Sequence, residues 1–74
     1  MFVVYEKDEK EVRFFESFWG VCELIAMEVL ELNDLDAAEK THELYGVGLL
    51  ALNRSMASHN IEIDWVEEGK PFYV

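Results

Sequence analysis

The apolar periodicity of this chain changes twice, and that restricts the fold more than any single motif does. Phe2-Val3-Val4-Tyr5 and Val12-Arg13-Phe14-Phe15 are β-branched and aromatic runs separated by the polar stretch Glu6 to Glu11. Such runs favour strands, so residues 1–16 read as a β-hairpin turning at Lys7-Asp8-Glu9-Lys10. After Ser17, a plausible helix N-cap, the period becomes helical. At 3.6 residues per turn, Phe18, Trp19, Val21, Cys22, Ile25, Ala26, Val29, Leu30 and Leu32 share about half the circumference. Glu23, Glu28 and Glu31 take the opposite arc, with Leu24 and Met27 among them. Asn33-Asp34 marks a break.

A second helix is expected from about Asp36, where Asp36-Ala-Ala-Glu39 resembles a capping box. Leu35, Ala38, His42, Tyr45, Leu49, Leu52, Met56 and His59 then recur at alternating spacings of three and four. Gly46 and Gly48 interrupt this stripe. They suit close packing against the first helix, with a broken helix as the alternative. Strand alternation returns at Ile61, Ile63 and Trp65, between Glu62 and Asp64. Glu68-Gly69-Lys70-Pro71 reads as a turn and Phe72-Tyr73-Val74 as a closing strand. The expectation is one α+β domain over residues 1–74 in the order ββααββ: an antiparallel sheet of two hairpins with two helices on one face.

Composition bears on function through charge. Sixteen acids stand against six Lys and Arg, a formal net charge of −10, while 51% of residues are hydrophobic and 14% aromatic. High charge with many aromatics fits a folded domain and not a disordered acidic tail. Nucleic-acid phosphates and anionic membrane surfaces both attract Lys and Arg, so neither is an expected partner. No apolar run approaches membrane-helix length, and the N-terminus lacks the basic region of a signal peptide. A single cysteine, Cys22, excludes an internal disulfide framework, and the expected location is the cytoplasm.

Candidate chemistry is sparse. Cys22 and His42 could form a thiol–imidazole pair, but Cys22 lies mid-stripe on an apolar face, where cysteine behaves as a small hydrophobe. Ser17, Ser55 and Ser58 lack a Gly-x-Ser-x-Gly setting, and Gly46-Val-Gly48 lacks the flanking strand and third glycine of a dinucleotide loop. Glu39-Lys-Thr-His42 is a Glu-x-x-His, the spacing of carboxylate-bridged dimetal bundles. Those sites need two such motifs, and this chain has one. Glu39 and His42 are therefore weak metal candidates, and no enzyme activity or cofactor is expected.

The distribution of acids is the strongest functional signal. Between Arg13 and Lys40 lie 26 residues with seven acids (Glu16, Glu23, Glu28, Glu31, Asp34, Asp36, Glu39) and no Lys or Arg. Glu23 to Glu31 spans roughly 12 Å of helix. A charge run usually marks a solvated face. Solvent-facing helices, however, tend to interleave both signs four residues apart, and this one repels itself. The partner-binding residues expected are Glu23, Leu24, Met27, Glu28, Glu31, Asp34 and Asp36. The partner would be a basic protein, either a nucleic-acid-handling enzyme or a toxin.

In size and charge the chain resembles the compact inhibitors that bacteriophages and mobile elements encode, some of which, including certain anti-CRISPR proteins, act as DNA mimics. An immunity protein or antitoxin against a basic toxin is the alternative, and a structural dimeric module or metal carrier a further one. Ten aromatics exceed what one small core hides, so Val3, Tyr5 and Phe15 are expected on a sheet face away from the helices, forming a homodimer.

Overall fold

Alternation in the first two apolar runs produces the expected hairpin. Strand β1 (Phe2–Glu6) pairs antiparallel with β2 (Glu11–Phe15), placing Phe2 opposite Phe15 and Glu6 opposite Glu11. The turn is Lys7 to Lys10, closed by the Lys10 N–H donating to the Lys7 carbonyl at 3.3 Å. In this computed structural model, which describes residues 1–67, strand β3 (Ile61–Trp65) pairs with the other side of β1, giving the order β2-β1-β3. The described residues therefore hold three strands, and the ββααββ order is not matched. The turn expected at Glu68 to Pro71 and the closing strand expected at Phe72-Tyr73-Val74 lie outside them.

Helix α1 (Phe18–Leu24) starts where Ser17 was expected to cap it, with the Gly20 N–H donating to Ser17 Oγ at 3.2 Å. It continues into a π-helical turn, Ile25–Val29, in which the Leu30 N–H reaches back five residues to the Ile25 carbonyl at 2.9 Å. The helix stops before Leu32. Glu31 takes a left-handed φ of 54°, and the Leu32 N–H donates to the Ala26 carbonyl. A reversal of this kind closes a helix by satisfying its last carbonyls.

Helix α2 (Asp34–Val47) is capped by Asn33, whose Oδ1 accepts from the Asp36 N–H at 2.9 Å, so the capping residue is Asn33 and not Asp36. The part of the expected stripe on this helix is also corrected, whereas Leu52 and Met56 further along are buried as expected. Ala37, Thr41 and Leu44 are buried, whereas Leu35 (74% exposed), Ala38, His42 and Tyr45 face outward. Small inward residues let α2 approach α1, and the one hydroxyl buried there is satisfied: Thr41 Oγ1 donates to the Ala37 carbonyl at 2.6 Å. Counting Thr41 as polar hid this register from the sequence pattern.

The second helix is broken, not continuous. Gly48 has φ 89° and ψ 169°, and helix α3 (Leu49–Met56) follows it. A side chain at that φ is strained, so Gly48→Ala is expected to cost about 1–3 kcal/mol. Gly46 lies inside α2 with open space around its Cα, so Gly46→Ala should stabilise by roughly 0.5–1 kcal/mol. Urea unfolding of the two variants checks this. Equal effects would mean that the helix runs through Gly48.

The helices cover one face of the sheet. Val4, Ile61 and Ile63 form a core with Val21, Cys22, Leu24, Ile25, Leu44, Leu52 and Met56, and Phe2 and Phe15 pack against it. Asn53 ties α3 to the sheet by accepting the Ile63 N–H at 2.8 Å. Among the described residues no helix is long and apolar enough to cross a membrane.

Cys22 is fully buried in this core, and burial pushes its thiol pKa up to about 11. Its unfolded value is close to 8.5–9. The folded state therefore keeps a proton that the unfolded chain releases, and stability falls as pH rises from about 9 to 11. The loss at the upper end is expected to be about 2–3 kcal/mol. Urea unfolding at several pH values should show this slope in the native protein, and a shallower one in Cys22→Ala. Parallel slopes would contradict the assignment.

Candidate functional site

Between the edge strand β2 and the first helix lies an open groove of about 400 Å³. Arg13, Phe14 and Phe15 line it from the strand; Gly20, Glu23, Leu24, Met27 and Glu28 line it from α1 and the π-turn. Close approach of the two elements depends on Gly20, because a Cβ there would meet Phe15 Cδ2 at 3.2 Å. The π-turn shapes the helical wall. Ile25 and Ala26 turn inward, while Met27, 49% exposed, and Glu28 face out. Single π-turns inside helices often occur at functional sites.

Arg13 organises the charges. It sits opposite Val4 and so projects from the helix-covered face of the sheet. Its Nη1 donates to Glu28 Oε2 and Oε1 at 3.0 and 3.2 Å, and its Nε donates to Glu11 Oε1 at 3.2 Å. The hydrogen bond to Glu28 and the charges of Glu28 and Glu11 outweigh desolvation and hold the guanidinium pKa above its ordinary value. Glu6 Oε2 is 4.0 Å from Arg13 Nε and has no hydrogen-bond partner among the described residues. Glu23 forms no ion pair among the described residues and is exposed on the groove wall.

The expected partner-binding residues thus separate. Glu23, Met27 and Glu28 are exposed in the groove wall. Leu24 is corrected to a core residue, 6% exposed, touching the groove only at its floor. The width of the apolar arc explains the error: a helix packed against both a sheet and α2 buries neighbours that a one-sided helix would expose. Glu31, Asp34 and Asp36 are exposed and lie outside the groove lining, at the exit of the π-turn and in the first turn of α2. Acids there favour the helix dipole, which gives Asp34 and Asp36 a structural role.

The expected dimer face also divides. Phe15 lies on the helix-covered side, opposite Phe2, and Val3 is fully buried within the single chain. Tyr5 is half-buried. Among the described residues, Val12 and Phe14 are the exposed apolar residues of the outer sheet face, the latter 54% exposed.

Glu39 and His42 are both exposed, and the Trp19 ring stacks edge-on against His42 at 4.8 Å. Neither belongs to the one group of ligating side chains, Glu6, Glu9 and Glu11, that come within 4.8 Å of one another among the described residues. Sequence reasoning missed Arg13, Phe14 and Gly20 as groove residues. The available signal was Arg13 itself, the last base before a long acidic stretch and so its natural counter-ion. No protein-family model matches the chain, and neither a curated protein nor a solved structure matches it.

Proposed function

We propose that this protein is a small acidic binding module that inhibits a basic, nucleic-acid-handling protein by occupying its phosphate-binding surface through the groove of β2 and the first helix. The observation that supports this most is the groove wall, where Glu23 and Glu28 flank the exposed Met27 beside Phe14. Charge draws a basic partner in, and the apolar side chains hold it after encounter. Arg13 fixes Glu28 in place and lowers the free charge there, so Glu23 is the leading attractive group.

The test is comparative capture from a lysate using the native protein and a Glu23→Lys/Glu28→Lys/Glu31→Lys variant. The expected result is a basic protein retained only by the native form and displaced by duplex DNA. A capture profile unaffected by the reversal, or by DNA, would refute the reading.

A further inference from the structure

Among the described residues, the backbone hydrogen-bond pattern identifies which groups β2 leaves free. Met1 and Val66 exchange both backbone hydrogen bonds, at 2.9 and 2.8 Å, and the Lys7 N–H donates to the Asn60 carbonyl at 2.9 Å. In an antiparallel ladder such pairs alternate, so the odd residues of β1 bond toward β3 and the even ones toward β2. Phe2, Val4 and Glu6 therefore use the inward groups of Phe15, Arg13 and Glu11. This leaves the N–H and C=O of Val12 and Phe14 pointing out along the edge of the sheet, and both residues are exposed. An unpaired edge is a template for another strand.

We infer that an extended basic peptide segment of the partner adds to this edge as a strand, pairing its backbone with Val12 and Phe14. This rests on the binding reading above and names the partner's chemistry. Three features favour this occupant. The groove begins where the edge ends, so alternate side chains of an added strand enter it. A residue opposite Phe15 would reach the wall that carries Glu23, which has no ion pair among the described residues. Residues opposite Val12 and Phe14 would lie on the outer face beside those two apolar side chains. The preferred sequence therefore alternates apolar outward residues with inward ones, of which the one opposite Phe15 is basic.

The probe is the peptide Lys-Val-Lys-Val-Lys-Val-Lys, capped at both ends and titrated at low salt into ¹⁵N-labelled full chain. The expected result is downfield shifts and slowed exchange of the Val12 and Phe14 amides. Methylating the valine nitrogens keeps the charge but removes the donors that face β2, so affinity should fall roughly tenfold or more. Methylating the lysine nitrogens, which face away, should cost much less. Val12→Pro removes one edge donor without touching the β1 pairing, and should weaken binding likewise. Binding that shifts Glu23 and Glu28 but spares Val12 and Phe14, with both methylated peptides equal, would overturn strand addition and leave the acidic-groove reading standing. No shift anywhere would overturn both.

Discussion

Ile25→Ala is expected to lower unfolding stability by about 3–4 kcal/mol, most of what a domain of this size possesses. Ile25 is fully buried at the start of the π-turn, among residues of the sheet and of α2 and α3. Leu24→Ala should cost about 2–4 kcal/mol for the same reason, since the lost side chain leaves a cavity between packed elements. Met27→Ala, three residues on, should change stability by less than about 0.5 kcal/mol because its side chain is half exposed. Urea unfolding followed by circular dichroism separates the three. A Leu24→Ala variant as stable as Met27→Ala would return Leu24 to the surface and remove the floor of the groove.

The second large effect is kinetic. Reversal of Glu23, Glu28 and Glu31 to Lys is expected to slow association with the basic partner by roughly 10- to 100-fold at low ionic strength. The difference should shrink as salt screens the encounter. Folding should survive, because all three side chains are exposed and the one ion pair broken, Arg13 with Glu28, is a surface pair worth about 0–1 kcal/mol. Met27→Ala acts after encounter and should raise the off-rate while leaving the on-rate unchanged. Stopped-flow association across a salt series reads both. A folded reversal variant with native on-rate and salt slope would move the binding face elsewhere.

Strands β1, β2 and β3 and the start of α1 were legible because each is set by local chemistry. Period-two alternation, a polar turn and a serine cap act within a few residues. What escaped was set at longer range. The inward face of α2 was chosen by how closely Ala37 and Thr41 let it approach α1, and a stripe weighted by hydrophobicity selected Leu35 and Tyr45 instead. The π-turn has no sequence signature, yet it governs which residues after Leu24 point outward. Glu28, one of the acids of that stretch, read as unpaired because its counter-ion, Arg13, lies 15 residues before it and meets it only across the strand–helix crossing.

Two surfaces compete for the role of binding face. One is the groove of β2, α1 and the π-turn. The other is the outward side of α2, where Leu35 and Tyr45 are exposed and the Trp19 ring contacts both His42 and Tyr45. The second also carries the exposed acids Asp34, Asp36, Glu39 and Glu43, so charge alone does not choose between the two. Amide hydrogen exchange, measured on the native chain alone and with the captured partner, distinguishes them most directly. Slowed exchange at Val12, Phe14 and residues 20–28, with residues 35–47 unchanged, is the expected result. Protection confined to residues 35–47, with the groove unchanged, would contradict it.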